Sequence, residues 1–312
     1  MVSTEGLFGE VQEFPADRAR ERFEALVGLD EVKQQMLAHA RVLLDPAVLA
    51  TWSEQEHGCV IPAVEDVMDL PPLVVLAGDV GTGKSVLAET VGDGIARQLK
   101  VSVTMFPMSL TARGHGAVGE MTTLLTRAFQ KVQDHALSGR GRDGKLRHVT
   151  LLLIDEADAL AQSRELTQMH HEDRAGVNAL IRGIDSLHRE RLAVLVIMCT
   201  NRADALDPAV RRRAAAVFQF SRPDDAQRRM LLRRSFAGTG IGDEHIEEAV
   251  RYTGATNGRS YGCTYSDLRQ RLVPAVVLDA LATGPIRGPR LVGIAKNFQP
   301  TRPFDAEVNG PV

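Results

Sequence analysis

The chain has 312 residues, enough for a substantial core and two domains of ordinary size, and its 37 basic and 40 acidic side chains leave a formal net charge of −3. That near balance excludes a global field drawing the molecule to nucleic acid or an anionic membrane, so any such role must rest on a local patch. Cys59, Cys199 and Cys263, odd in number and without CxxC spacing, exclude a zinc ribbon or a disulfide framework and point to free thiols in a reducing compartment.

Met1 to Pro15 is acidic and has no basic, then apolar, leader pattern, and the longest apolar runs, such as Leu192 to Cys199, fall far short of a bilayer span. The expectation is a cytoplasmic protein with no membrane partner. Residues 1–20 are polar and expected to be flexible. Asp17 to Asp45 carries Phe23, Leu26, Val32, Met36, Ala40, Leu43 and Leu44 at helical spacing, interrupted at Val27-Gly28-Leu29-Asp30, which predicts helix, turn, helix. Trp52 and Met68 read as core residues, and His57 to Pro72, ending in two prolines, as a linking loop.

From Leu73 the pattern alternates. Leu73 to Ala77, Val101 to Phe106, His148 to Ile154, Leu192 to Thr200 and Ala216 to Phe220 are short continuous apolar runs of the kind that parallel strands buried on both faces produce. Between them lie amphipathic stretches at Ser85 to Leu99, Glu120 to Ala136 and His171 to Ser186, and a turn-rich stretch near Asp204 to Arg213. This order predicts an α/β fold with a doubly wound, parallel, five-stranded sheet over residues 21–222. After Arg222-Pro223-Asp224 the pattern is helical only, which predicts a small all-helical lid domain over 223–283. The proline-rich residues 284–312 read as an irregular arm.

Gly78-Asp79-Val80-Gly81-Thr82-Gly83-Lys84-Ser85 lies between the first apolar strand and a helix that continues with Val86. Glycines let backbone N–H groups turn inward around a polyphosphate, Lys84 can reach the β and γ phosphates of ATP, and the Ser85 hydroxyl can ligate Mg²⁺. The helix N-terminus faces the same anion with its positive dipole end. Leu151-Leu152-Leu153-Ile154 then delivers Asp155, which can hold Mg²⁺ through water, and Glu156, which can activate the attacking water. Asn201 ends the next strand, where its carboxamide can donate to the γ-phosphate and accept from that water. Arg211, Arg212 and Arg213 follow, and phosphoryl transfer gains about 10³ to 10⁵ in rate from an arginine placed on the developing charge, often by a neighbouring molecule.

Together these residues resemble an AAA+ ATPase over about residues 20–283. The resemblance implies Gly78 to Ser85 as Walker A, Asp155 and Glu156 as Walker B, Asn201 as sensor 1, Arg212 or Arg213 as arginine finger, Val27 and Gly28 in the adenine-contacting turn, and Gly262 to Leu268 as the start of the lid helix. Phe129 to Asp134, Val177-Asn178-Ala179 with Ile184-Asp185, and Asp207 to Pro223 are similar to the pachytene-checkpoint remodellers of HORMA-domain proteins and their compact bacterial relatives, a likeness that singles out Arg213. It implies a homo-oligomeric, hexameric ring that opens a closed HORMA-domain client and so restrains a cyclic-oligonucleotide synthase, a nucleotidyltransferase, in anti-phage defence.

Two departures stand out. His115-Gly116-Ala117 precedes Val118-Gly119-Glu120 where relatives carry a pore-loop aromatic. Ser266 stands at the sensor 2 position, with Arg259 or Arg269 as substitutes between which the sequence does not choose. The alternatives are another protein remodeller of activase type and a nucleic-acid loader. The loader would use Arg228, Arg229, Arg233 and Arg234 as a basic helix face. A third is a scaffold that binds ATP but seldom turns it over.

Overall fold

The computed structural model describes residues 8–109, 120–139, 146–158, 171–202, 206–256 and 258–303. The chain divides into two compact units. One comprises Met1–Ala25, Glu31–Ala77 and Ser85–Gln219, and the other Leu26–Asp30, Gly78–Lys84 and Phe220–Val312.

The first unit is built on a sheet whose six strands, among the described residues, run in the order β1-β3-β4-β5-β2-β6. They are β1 (Gln12–Phe14), β2 (Leu73–Gly78), β3 (Ser102–Ser109), β4 (His148–Asp155), β5 (Val194–Thr200) and β6 (Ala214–Phe220). The pairs β3 with β4, β4 with β5, and β2 with β5 are parallel. Every residue of β5 is buried, as its unbroken apolar run requires of a strand covered on both faces. Burying each Leu or Ile of β4 and β5 contributes about 1.5–3 kcal/mol. Helices α5 (Lys84–Leu99), α6 (Glu120–Ser138) and α7 (His171–Arg189) supply the crossovers, and Leu125, Phe129, Val132, Val177, Leu180 and Ile184 pack with the strand core.

The chain leaves β2 and returns at β3, two strands beyond its neighbour β5, so β5 lies between β2 and β4. Ala77 pairs with Thr200 and Ile154 with Met198, which brings the carboxyl ends of these strands to one edge, where such sheets bind ligands.

Several expectations are corrected here. The sheet has a sixth strand, β1, formed by residues 12–14 of the stretch expected to be flexible, of which residues 17–20 open α1 (Asp17–Glu24). The antiparallel pairing of β1 with β3 is reinforced by Thr104 Oγ1 donating to Glu13 Oε2 at 2.8 Å, and Ala16 N donates to Asp93 Oδ1 at 2.8 Å. Within the expected linking loop lies α4 (Pro62–Met68), because Pro62 occupies the first helical position, where a missing N–H costs nothing. Trp52, expected in the core, is 46% exposed on α3 (Ala47–His57), a surface helix on which Ser53 is the buried residue.

The second unit packs α9 (Asp225–Ser235), α10 (Asp243–Thr253), a π-helical segment (Asp267–Leu272) running into α11 (Val273–Thr283), and α12 (Gly288–Asn297). Leu232, Ile246, Val250, Leu268, Leu272, Val276 and Leu291 form its core. Asp224 and Gln227 cap α9 reciprocally. Helix α12 corrects the reading of the stretch 284–312 as irregular at residues 288–297. Pro289 sits in its first turn, and Leu291 and Ala295, four residues apart, are buried while Ile294 packs on the same core.

Cys59 is exposed, Cys199 and Cys263 are buried, and all three are free thiols. Among the described residues no helix is long and apolar enough to cross a membrane.

Candidate functional site

In the second unit the glycine-rich loop Gly78 to Lys84 is shaped by its own backbone. Gly78 has φ 146°, and a Cβ there would lie 2.1 Å from the carbonyl oxygen of Phe220, so only glycine fits. Lys84 is 6% exposed, and its Nζ donates to the carbonyl oxygens of Gly78 and Asp79 at 2.8 Å each. Thr82 Oγ1 donates to Asp79 O at 2.7 Å. These bonds fold residues 78–84 back on themselves with the ammonium group at the centre. Gly28, at φ 73°, presents its carbonyl to Gln227 Nε2 at 2.8 Å, and Val27 packs on the helical core, so both residues are fixed within this unit.

In the first unit Ser85 lies in the first turn of α5. Its Oγ donates to Asp155 Oδ1 at 3.3 Å, joining α5 to the end of β4 and presenting two hard oxygen donors side by side. Asp155 Oδ1 also accepts from Glu156 N at 2.9 Å. Glu156 is exposed and holds φ 55°, a left-handed conformation that a non-glycine residue adopts where its surroundings impose it. Ala157 N donates to Cys199 O at 2.9 Å and ties the ends of β4 and β5 together.

Asn201 is oriented by Asp158. Asp158 Oδ1 accepts from Asn201 N at 2.6 Å and from Thr200 Oγ1 at 2.8 Å, and Oδ2 accepts from Asn201 Nδ2 at 3.1 Å. The bond to Asp158 fixes which edge of the Asn201 carboxamide carries the donor and which the acceptor. Ser85, Asp155, Glu156 and Asn201 are thus gathered at one edge of the sheet unit.

Residues 74–222 match the model of the AAA family, ATPases associated with various cellular activities. CD-NTase-associated protein 6 of Escherichia coli (strain MS 115-1) is 47% identical over 302 residues, covering 97% of this chain and 97% of its own length. The chain belongs to the CD-NTase-associated protein 6 family of AAA ATPases. The chain of the solved E. coli MS115-1 HORMA:CdnC:Trip13 complex that it matches is 46% identical with a TM-score of 0.87, covering 95% of this chain and 97% of that one. Rhizobiales Trip13 is 41% identical with a TM-score of 0.75, covering 95% and 100%. C. elegans PCH-2, at 18% identity and a TM-score of 0.62 over 92% of this chain and 73% of that one, shows the shared fold.

In this AAA ATPase the arginine series is set by a short helix, α8 (Pro208–Arg211), which Asp207 caps by accepting from Ala209 N at 2.8 Å. Arg213 is held away from solvent-side freedom by a bidentate pair: Nε to Asp185 Oδ1 at 2.7 Å and Nη2 to Asp185 Oδ2 at 3.0 Å, with Nη1 donating to Ala209 O at 3.1 Å. Hydrogen bonding to Asp185 raises the Arg213 pKa above its ordinary value. Arg212 is exposed. The contacts of Arg213 are therefore with α7 and α8, whereas Ser85, Asp155 and Asn201 contact β4 and the segment after it.

Of the two candidate substitutes at sensor 2, Arg259 is committed to lid carbonyls, donating from Nε to Tyr261 O at 2.8 Å and from Nη2 to Gly254 O at 2.6 Å, while Arg269 is exposed. Ser266 N donates to Gly81 O at 3.0 Å, so that position touches the glycine-rich loop through its backbone. The basic face on α9 is largely neutralised. Arg228 pairs with Asp225, Arg229 with Glu247 and Arg233 with Asp243. His115 to Gly119, and His170, lie outside the described residues.

Sequence reasoning missed Asp158 and Asp185. The signal for Asp158 was available, a third acid in Asp155-Glu156-Ala157-Asp158, but its partner lies on another strand. Asp185 carries a family likeness in the sequence, but the arginine that it holds lies 28 positions further on.

Proposed function

We propose that this chain hydrolyses ATP to ADP and phosphate in a homo-oligomeric, hexameric ring and uses the energy to open a closed HORMA-domain protein bound to a nucleotidyltransferase, restraining that synthase in anti-phage defence. The observation that carries the reading is the Ser85–Asp155 pair beside the Asp158-oriented Asn201, in a chain 46% identical over 95% of its length to one solved in a HORMA:CdnC:Trip13 complex.

Gly78 to Lys84 grip the polyphosphate through backbone N–H groups and the Lys84 ammonium, with Val86 on the helix behind and Val27 and Gly28 against the adenine. The Ser85 hydroxyl and Asp155 carboxylate fit Mg²⁺, which takes one or two protein oxygens together with substrate phosphates. Once bound, that ion supplies neutralisation of charge on the phosphate oxygens. Glu156 takes a proton from water as its oxygen bonds to the γ-phosphorus, and the bond to the β-γ bridging oxygen breaks to leave ADP. Asn201 fixes the direction of that water. Arg213, two residues beyond α8 and braced by Asp185, serves the adjoining copy as finger, with Arg212 beside it.

The test is a trap. Glu156→Gln in the full chain is expected to bind ATP without turnover, and a pull-down with it in ATP is expected to recover a HORMA-domain protein. Recovery that does not depend on ATP, or turnover equal to the parent, overturns the reading.

A further inference from the structure

Asp79 places a carboxylate inside the phosphate loop, where it opposes an incoming anion. Its Oδ1 accepts from Val80 N at 2.8 Å, shaping the loop, and its Oδ2 accepts from Arg222 Nε at 2.7 Å, with Nη2 of the same guanidinium in ion-pair contact at 2.6 Å. The two side chains are only 18% and 13% exposed, so Arg222 neutralises Asp79 in a place that water reaches poorly. The Arg222 guanidinium also lies 5.1 Å from the Tyr261 ring centroid, and its Nη1 donates to two carbonyls, Gly262 O at 2.7 Å and Thr301 O at 2.8 Å.

Thr301 stands beyond α12 in the C-terminal arm, and it makes a second set of bonds. Its N donates to Asp267 Oδ2 at 3.0 Å and its Oγ1 to Asp267 Oδ1 at 2.7 Å. Asp267 is 1% exposed and also accepts from Thr264 N at 3.0 Å and Arg271 Nη1 at 2.7 Å. Burial pushes the Asp267 pKa up, but the hydrogen bonds from Thr264, Thr301 and Arg271 outweigh it and hold the carboxyl below its ordinary value. Asp267 sits at the start of the π-helical segment, directly after Ser266, whose N–H holds Gly81 O. A Cβ on Gly81 would come within 2.8 Å of Thr264 Oγ1. Thr301 therefore reaches the loop along two routes, through one residue, Arg222, to Asp79, and through two, Asp267 and its neighbour Ser266, to Gly81.

We propose that Thr301 and Arg222 are positioning residues for nucleotide binding, and that the C-terminal arm acts as a clasp which sets the affinity of the phosphate loop. The arm holds Arg222 in place, Arg222 holds and neutralises Asp79, and the loop keeps the shape that receives phosphate. Releasing the arm removes one of the two carbonyls that hold Arg222 Nη1 and two of the bonds to Asp267, so that Arg222 is held less firmly against Asp79 and the negative charge of the loop is offset less well against ATP. The proposal rests on the reading of Gly78 to Ser85 as a nucleotide loop.

The test measures binding of a fluorescent ADP analogue, steady-state KM and kcat for ATP, and thermal melting in the full chain. Lys84→Ala in the same assay tests the underlying reading separately: if the parent binds nucleotide and Lys84→Ala does not, the loop assignment stands whatever the arm does. Thr301→Pro removes the N–H donor to Asp267 and is expected to weaken ADP binding and raise the ATP KM about tenfold, with a smaller change in kcat. Thr301→Val, lacking only the hydroxyl bond, is expected to shift both about threefold and keeps the test readable if the proline variant melts early. Arg222→Gln is expected to match or exceed Thr301→Pro, and Arg222→Lys to recover part of the loss. Combining Thr301→Pro with Arg222→Gln adds less than the product of the two effects, because they act on one chain of contacts. Unchanged affinity in both Thr301 variants, or effects that multiply fully, overturns the clasp.

Discussion

Changing Asp158 to Asn keeps the shape of the side chain that orients Asn201 and alters only its hydrogen-bonding sense. The carboxylate accepts three bonds, from Asn201 N, Thr200 Oγ1 and Asn201 Nδ2. In Asp158→Asn the new amide retains an acceptor for the first two but sets a donor against Asn201 Nδ2, so the Asn201 carboxamide turns over and exchanges its donor and acceptor faces. A hydrogen bond to a charged group contributes about 1.5–3 kcal/mol, and losing about 2 kcal/mol of orientation at the attacking water corresponds to a fall of roughly 30-fold in kcat. Because Asn201 acts on the water, KM for ATP is expected to stay within about threefold of the parent. Steady-state ATPase measurements alongside thermal melting check this. A kcat within twofold of the parent, or a fall in kcat matched by an equal rise in KM, refutes the assigned role.

Other outcomes follow from the same geometry. Arg213→Ala is expected to lower kcat by about 10³-fold, and mixing it with an inactive Lys84→Ala chain is expected to restore activity through interfaces that pair one good loop with one good finger; no restoration refutes action between copies. Gly78→Ala drives a Cβ to 2.1 Å from Phe220 O, so nucleotide binding is expected to be lost, with a backbone cost of about 1–3 kcal/mol seen as a lower melting temperature. His135 and His148 stack edge to face at 4.9 Å beside Glu13, Ser102 and Thr150. Burial lowers both imidazole pKa values, the positive charge of His148 and then Lys131 add to this at His135, and Glu13 opposes it at both. The unfolded chain then takes up protons first, so stability is full above the ordinary imidazole range and falls as pH drops through it. Thermal melts from pH 8 to pH 5 check this, and His148→Gln should flatten the decline.

The elements that bear on the site were legible where one local pattern decides the outcome. The unbroken apolar runs of β4 and β5 could only be buried strands, and the glycine, lysine and serine spacing after β2 needs no distant partner to be read. What escaped depended on partners far along the chain. Three residues of β1 carry no periodicity, and their pairing is fixed by β3 about 90 positions later. Leu291, Ile294 and Ala295 spell out a helical face on α12, but Pro289 drew the reading toward irregular chain although a proline is harmless in a first helical turn. Arg222 looked like punctuation before Pro223, and its bonds to Asp79, Gly262 and Thr301 exist only once the chain has folded.

The central claim is tested most directly by following a complex of a HORMA-domain protein and its nucleotidyltransferase, together with this chain and ATP-Mg²⁺, through the rate of complex dissociation. The account predicts that the parent chain accelerates dissociation in ATP while Glu156→Gln and Lys84→Ala do not. Equal dissociation without nucleotide, or undiminished dissociation by Glu156→Gln, would contradict it.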